Sequence, residues 1–334
     1  PCMSTHSQIE TVVALTDISA ISVRRDQYSA LIEKNTAVAM KIIRTFATQM
    51  RALNELLTQL TLKNTLSESP EQMYSIAAYY EQMGKNNLAV YGYYQYMKEC
   101  PTGEFIEKAK KRFITLKSRS QAVYFESPKE SFRTYPKDTM IFSECQSGQD
   151  MFIIQSGQVK ISKVVDNNEV ILAVLQKGEF FGEMALLENK PRSASAIAHD
   201  DCTLMVLNRS NFNHMVTTQP QLIARLTTTL AERLWAMSRQ LTNAHLRDPQ
   251  AKLIDMLALQ LEKNRIVITK GTSHQFDLTL YDLANMCGIS KEQQPIVLGQ
   301  FLKNTLIKLK DNKIFIGDCE ALIKDSEFFR KQKH

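Results

Sequence analysis

The feature that most constrains this chain is an internal repeat. Residues 14–58 align with residues 198–242 without gaps, at a constant offset of 184. In both copies apolar residues recur at steps of 4, 4, 4, 3 and 4, the spacing of one stripe along a long helix. The aligned pairs are Val38 and Leu222, Ile42 and Leu226, Phe46 and Leu230, Met50 and Leu234, Leu53 and Met237, and Leu57 and Leu241. The sequence therefore predicts that one structural module occurs twice.

A β-like stretch precedes each predicted helix, Thr11–Val23 in the first copy and Ser195–Leu207 in the second. The first copy starts near residue 1, so we expect it to be truncated on its N-terminal side. Its long helix could pair with the second one inside the chain. Alternatively, the second helices of two chains could pair in a homodimer. The residues expected in that seam are Leu226, Leu230, Leu234 and Leu241.

Residues 71–117 have a different pattern, that of a helical hairpin. Tyr80, Gly84, Ala89 and Pro101 stand at the spacing of a tetratricopeptide repeat. Glycine permits the turn, alanine lets the helices approach, and proline ends the second helix. The segment resembles about one and a half such repeats. A protein partner could bind to its tyrosines, although packing within the hairpin is the alternative; these are Tyr91, Tyr93, Tyr94 and Tyr96.

Residues 131–207 are rich in short alternating runs separated by turn signals such as Ser147-Gly148 and Ser156-Gly157. Even spacing of this kind predicts a jelly roll or barrel. The expected strands are Met140–Phe142, Met151–Ile154, Val159–Val165 and Val170–Leu175.

The segment from Phe181 to Ala196 contains the residues with the clearest chemistry. Gly182 opens a short predicted helix, whose free N–H groups favour an anion. Arg192 follows Glu183 by nine residues and can return to the same anion as a charge-assisted donor. Glu183 is unsuited to phosphate but suited to a hydroxyl donor such as ribose. Phosphate and ribose together indicate a nucleotide.

This segment resembles the phosphate-binding cassette of cyclic-nucleotide-binding domains, and the resemblance covers about residues 130–245. It implies that Glu183 binds the ribose, that Arg192 binds the cyclic phosphate, and that Ser193 adds a hydroxyl. The alternative is a structural surface pair of Glu183 and Arg192. The residues implied as ligand-binding in this segment are Gly182, Glu183, Met184, Ala185, Arg192, Ser193 and Ala194.

The resemblance also implies contacts between the base and the long helix, at Met237 and Ser238. Cyclic-AMP receptors carry hydroxyl residues at these two positions. Ser238 keeps one hydroxyl, and Met237 replaces the other with a thioether. Together with Ser193, this is similar to cyclic-AMP-responsive regulators and favours cAMP over cGMP. The first copy has Gln8 at the position of Arg192, so we do not expect it to bind a nucleotide.

The C-terminal region, about 249–318, is typical of a winged helix-turn-helix. We expect a helix over Pro249–Lys263, a strand over Arg265–Thr269 and a helix over Leu280–Met286. Thr279 and Ser290 are expected N-caps, Gly288 makes the turn, and residues 306–316 form the hairpin wing. The order of barrel, long helix and winged helix resembles the cyclic-AMP receptor/fumarate–nitrate regulator (Crp/Fnr) family.

Lys291, Glu292 and Gln293 are the expected DNA-binding residues of the recognition helix. Lysine can reach a guanine edge and glutamate a cytosine amino group. Pro295 is expected inside this helix, at a cost of roughly 3 kcal/mol. Gln294 occupies a slot usually filled by an apolar residue, and Ile296 stands where the family has a second arginine. The alternative is a winged helix kept for protein contacts.

Composition excludes several classes of protein. Hydrophobic residues at 44% and charged residues at 23% exclude general disorder, and no apolar window could span a membrane. Six scattered cysteines without a Cys-x-x-Cys pair indicate a reducing, cytoplasmic environment. No metal-ligand spacing or Walker A loop is present. The net charge of +6 is only a weak indication of nucleic-acid binding.

These observations predict a multidomain α+β protein that is not an enzyme. The expected domains are a degenerate copy with its long helix (1–64), a tetratricopeptide-like segment (65–120), a jelly-roll cyclic-nucleotide-binding domain with a long dimerisation-type helix (121–246), and a winged helix-turn-helix (247–334). The expected function is transcription regulation by cAMP, with DNA as partner. The alternative is a cyclic-nucleotide-responsive scaffold that acts through protein contacts at residues 71–117.

Overall fold

A computed structural model describes residues 11–62, 69–120, 124–126, 129–165 and 167–332. The chain divides into two compact units. The first lies within Pro1–Ala52, Ser67–Ile161 and Val174–Trp235, and the second within Leu53–Leu66, Ser162–Ala173 and Ala236–His334. The four predicted domain boundaries stay a prediction.

The repeated helices begin at matching positions. Helices α1 (Arg25–Lys34) and α2 (Thr36–Leu62) begin 184 residues before α7 (Arg209–Thr218) and α8 (Pro220–Ala244), since 209 − 25 and 220 − 36 both equal 184. The module thus recurs as a ten-residue helix followed by a long one. Whether the first copy is a truncated nucleotide-binding domain stays a prediction, and Gln8 lies outside the described residues.

The predicted β-like stretch at 11–23 is wrong, because residues 11–24 form no strand. Its apolar side chains face solvent, with Leu15 93% and Ile21 92% exposed. A strand is stable only where neighbouring strands satisfy its backbone groups, and none pairs with this stretch among the described residues.

Residues 72–117 form three helices, α3 (Gln72–Gln82), α4 (Asn86–Glu99) and α5 (Ile106–Lys117). Helix α4 packs against both of its neighbours. Gly84 makes the predicted turn with a φ of 68°. The close approach is at Gly92, where an added Cβ would lie 2.9 Å from the Ala77 Cβ.

The tyrosines of this segment are mostly packed inside it. Tyr91, Tyr93 and Tyr96 are buried, and Tyr74 stacks on Phe105 with ring centroids 4.6 Å apart. The three buried rings therefore do not form an open binding face. The tetratricopeptide likeness and a protein partner at 71–117 stay predictions.

Two four-stranded sheets follow, in the orders β1-β8-β3-β6 and β2-β7-β4-β5. All four predicted strands form, and the sheets have the antiparallel, jelly-roll-like arrangement. Phe152 and Phe181 stack inside with centroids 5.0 Å apart. The strands are β1 (Phe132–Tyr135), β2 (Met140–Phe142), β3 (Met151–Ser156), β4 (Val159–Val165), β5 (Asn168–Leu175), β6 (Phe180–Phe181), β7 (Ser195–Ala198) and β8 (Cys202–Leu207).

The C-terminal part of the second unit contains α9, three short strands in the order β10-β11-β9, and α10, α11 and α12. Thr279 caps α10 through a capping box with Asp282, and Gly288 makes the turn before α11 with a φ of 66°. The elements are α9 (Pro249–Lys263), β9 (His274–Gln275), α10 (Leu280–Met286), α11 (Gln294–Phe301), β10 (Ile307–Lys310), β11 (Lys313–Ile316) and α12 (Cys319–Lys331).

Two expectations for this region are wrong. Residues 265–269 form no strand, because Arg265 takes a φ of 53° and the Ile266 N–H bonds back to Leu261 to end α9. Helix α11 begins at Gln294 with Gln293 as its N-cap, so Ser290 is not the N-cap. Pro295 therefore lies in the first turn, where a missing N–H removes no helical bond.

Helix α12 was not predicted. A buried carboxylate, Asp255, links it to α8 and α9. Asp255 of α9 accepts hydrogen bonds from Arg239 of α8 at 2.9 Å and from Ser326 of α12 at 2.7 Å. Burial opposes its charge, but Arg239, Ser326 and Asn243 together keep the pKa of Asp255 below its usual range.

Candidate nucleotide-binding site

The cassette segment begins where β6 ends. Gly182 has a φ of 77° and is followed by helix α6 (Glu183–Glu188). A Cβ at this position would lie 2.7 Å from Arg192 Nη1 and 3.1 Å from the Asp150 carbonyl oxygen. Only glycine fits both the left-handed backbone and this close approach.

Arg192 lies inside the first unit and is only 5% exposed. Its Nη1 donates to the Gly182 carbonyl oxygen at 2.8 Å, and its guanidinium stands 4.1 Å from the centre of the Phe142 ring. Burial lowers the pKa of Arg192 to about 10, although Asp150, Tyr91 and Glu183 act in the opposite direction. The side chain is therefore a buried cation at neutral pH.

The Arg192 Nε finds no hydrogen-bond acceptor among the described residues. A buried donor without a partner costs free energy, and more so on a charged group. An anion beside this guanidinium would satisfy both the donor and the charge, so the residue is suited to a phosphate.

Glu183 is also buried, at 2% exposed, and its partner is an arginine that the sequence analysis missed. Arg233 of α8 stands with Nη1 3.4 Å from Glu183 Oε1 and also donates to the Phe180 carbonyl oxygen. The alternative of a surface pair between Glu183 and Arg192 is wrong, because both side chains are buried and the ion pair is with Arg233. Because Glu183 and Arg233 are fifty positions apart in the sequence, no local motif indicated this pairing.

The remaining cassette residues lie close by in the same segment. Met184, Ala185 and Ala194 are buried, and Ser193 is half-buried with its Oγ 3.7 Å from Met184 Sδ. The segment thus brings Gly182, Glu183 and Arg192 together as expected, while the individual ligand roles stay predictions.

Met237 and Ser238 lie half-buried in the C-terminal part of α8, which belongs to the second unit. Their contact with a base stays a prediction.

Lys291, Glu292 and Gln293 are exposed, but they lie outside α11, the helix that was expected to be the recognition helix. They form the turn before α11, in which the Gln293 and Gln294 N–H groups both donate to the Ser290 carbonyl oxygen at 3.0 Å. Gln294 is buried, and its amide donates to Asn285 Oδ1 at 2.8 Å and to the Ile289 carbonyl oxygen at 2.9 Å. These bonds explain why the polar Gln294 can be buried at a position where an apolar residue is usual.

Within the part of the chain that is described, no cluster of His, Cys, Asp or Glu could hold a metal ion. Over the same residues, no helix has the length and apolar character needed to cross a membrane.

Comparisons with known proteins find the following similarities. Residues 132–219 match the family model described as Cyclic nucleotide-binding domain. The Cyclic AMP receptor protein of Thermus thermophilus is 28% identical over 203 residues, or 59% of this chain and 88% of that protein. The cAMP-activated global transcriptional regulator CRP of Pasteurella multocida is 28% identical over 171 residues, or 51% of this chain and 79% of that protein.

Among solved structures, a mutant of CooA from Carboxydothermus hydrogenoformans is similar in fold. The TM-score is 0.51 at 18% identity, with 58% of this chain and 87% of that chain covered. The relative from Pasteurella multocida is named as a transcriptional regulator, which agrees with the prediction that this chain is not an enzyme. Residues 132–219 thus match the family model of a cyclic nucleotide-binding domain, in a chain similar to regulators that are named for cAMP.

Proposed function

We propose that this protein is a transcription regulator in which cAMP binds to the jelly roll and controls DNA binding by a C-terminal winged helix-turn-helix. The observation that carries the proposal is Arg192, a buried cation with an unsatisfied Nε inside the cyclic nucleotide-binding domain. The relatives named for cAMP support the choice of ligand.

In this proposal the Arg192 guanidinium binds the cyclic phosphate, and Ser193 adds a hydroxyl. Glu183 accepts the ribose 2′-hydroxyl, while Arg233 holds its carboxylate in place. Gly182, Met184, Ala185 and Ala194 line the nucleotide with backbone and small groups. Met237 and Ser238 contact the base, and their retained hydroxyl favours cAMP over cGMP.

In this proposal, nucleotide binding controls the binding of the C-terminal region to DNA. Helices α10 and α11 with the β10–β11 hairpin have the element order of a winged helix-turn-helix. The exposed turn of Lys291, Glu292 and Gln293 then approaches the major groove at the start of α11.

A second candidate is a cyclic-nucleotide-responsive scaffold that binds protein instead of DNA. The observation that favours it is Ile296, which is 68% exposed on α11 where the family has an arginine. An exposed apolar residue on a recognition helix suits a protein contact better than a phosphate-lined groove.

Calorimetry with cAMP and cGMP on wild type, Arg192→Leu and Glu183→Gln tests the ligand site. We expect Arg192→Leu to abolish binding and Glu183→Gln to weaken it less. Wild-type affinity in Arg192→Leu, with the fold intact by circular dichroism, would overturn the site.

A salt-titrated DNA-binding assay with and without cAMP separates the two functions, since DNA affinity that is absent at every salt concentration supports the scaffold.

A further inference from the structure

We propose that helix α4 sets the affinity of the nucleotide site, with Tyr91 and Gln146 as the positioning residues that link the helix to Arg192. The link passes through residues 143–148, between β2 and β3, which we name the linking loop. This inference rests on the proposed function, because it assigns a regulator to the same site.

The linking loop fixes the main chain of Arg192. The Arg192 N–H donates to the Gln146 carbonyl oxygen at 2.9 Å, and the Cys145 N–H donates to the Arg192 carbonyl oxygen at 2.9 Å. Both backbone groups of Arg192 are therefore held by two consecutive residues of the loop.

The same loop also limits the Arg192 side chain. A Cβ added at Gly148 would lie 2.6 Å from both Nε and Nη2 of Arg192. The loop backbone thus forms a wall against the guanidinium, and a shift of the loop would move the group that binds phosphate.

Helix α4 holds the other side of the linking loop. The Tyr91 hydroxyl stands 3.0 Å from Gln146 Oε1 and 3.2 Å from the Ile141 carbonyl oxygen. Gln146 Oε1 also accepts from the Ser143 N–H at 2.9 Å. At the end of α4, Glu99 accepts from the Ser147 hydroxyl at 2.8 Å.

A continuous chain of contacts therefore joins α4 to the phosphate-binding arginine, all within the first unit. Tyr91 is only 2% exposed, so water does not replace its bond readily. Coupling between two sites is reciprocal. Nucleotide binding should therefore stabilise α4, and anything that displaces the α3–α5 segment should weaken nucleotide binding.

The test compares Tyr91→Phe with Tyr93→Phe in the full chain. Both tyrosines are buried on α4, but the Tyr93 hydroxyl donates to Glu81 within the helical segment at 2.7 Å. Calorimetry should give a cAMP affinity about threefold to tenfold weaker in Tyr91→Phe and within about twofold of wild type in Tyr93→Phe.

Hydrogen exchange supplies a readout that a merely structural role would not change. In wild type, cAMP should slow amide exchange in α4, and in Tyr91→Phe this effect of the ligand should be lost while the ligand still binds.

The outcomes are distinguishable. A wild-type chain that binds no cyclic nucleotide overturns the proposed function and this inference with it. Wild-type binding with an unchanged Tyr91→Phe affinity overturns the inference alone. Equal weakening in Tyr91→Phe and Tyr93→Phe also overturns it, because the effect would then be general loss of helical stability.

Discussion

At the scale of single residues, Gly148 shows how a missing side chain can position a charged one. Its backbone lies against the Arg192 guanidinium, where a Cβ would approach Nε, Nη2 and Cζ to within 2.8 Å. Because the guanidinium is buried, it cannot easily move away from an added Cβ. We predict that Gly148→Ala weakens cAMP binding about tenfold, the cost of one poorly aligned charge-assisted hydrogen bond, measured by calorimetry.

The matched control is Gly299→Ala in α11, where an added Cβ meets nothing within 4 Å. It should leave cAMP affinity unchanged and raise stability by up to about 1 kcal/mol, since alanine is the better helix former. Unchanged affinity in Gly148→Ala would show that Arg192 does not depend on this wall.

The sequence identified the cassette residues because glycine, acid and arginine lie within eleven residues of each other and the motif is local. It missed their partners. Arg233 reaches Glu183 from another helix, and Gly148 reaches Arg192 from another loop. Such contacts depend on tertiary packing, which no local spacing encodes.

At the scale of elements, helix α2 contacts the cassette segment directly. Arg51 donates through Nε to Glu188 Oε2 at 2.6 Å and through Nη2 to the Pro191 carbonyl oxygen at 3.1 Å. The two charged side chains are only 4% and 8% exposed. Through Arg51, the first repeat copy therefore stabilises the cassette segment that contains Arg192.

We predict that Arg51→Met lowers the free energy of unfolding by about 3 kcal/mol or more, because it leaves the Glu188 carboxylate buried without its partner. The double variant Arg51→Met with Glu188→Met should recover much of that loss. Urea denaturation measures both. An equal loss in the single and the double variant would contradict a direct ion-pair contribution.

The position of Pro295 changes the expectation for α11. The proline stands in the first turn and is exposed, so its missing N–H breaks no helical bond. We predict that Pro295→Ala changes stability by less than about 1 kcal/mol and leaves DNA affinity unchanged. Thermal denaturation and a DNA-binding assay measure the two effects.

Gly299→Pro is the contrasting variant, because it places proline in the interior of the same helix. It should cost about 3 kcal/mol. A gain in stability of about 3 kcal/mol in Pro295→Ala would mean that residue 295 lies inside the helix after all.

The long helices and the four main strands were predicted well from their periodicity, whereas short or irregular elements were not. The helices α2 and α8 follow from their apolar stripes, and α10 follows from Thr279 and its capping box. By contrast, residues 11–23 were predicted as a β-like stretch but form no strand and pair with none of the described strands. β9 was missed because two residues, His274 and Gln275, carry no measurable pattern.

At the scale of the whole molecule, the predicted homodimer seam must be revised. Leu226 and Leu230 are fully buried within the single chain, whereas Leu234 and Leu241 are only half-buried. The first pair therefore belongs to the core of the chain and is not available to a partner. Only the second pair can contribute to a seam between chains.

Reading a two-fold operator requires two DNA-binding units, and each chain has one helix-turn-helix candidate. We therefore predict a homodimer whose mass by light scattering is about twice the 38.1 kDa of the chain. Leu241→Glu should dissociate it with little loss of thermal stability, because a half-exposed position tolerates a charge. Leu230→Glu should instead lower thermal stability strongly, because it buries an unpaired carboxylate. A wild-type monomer at all concentrations would contradict the homodimer and leave the scaffold as the better-supported function.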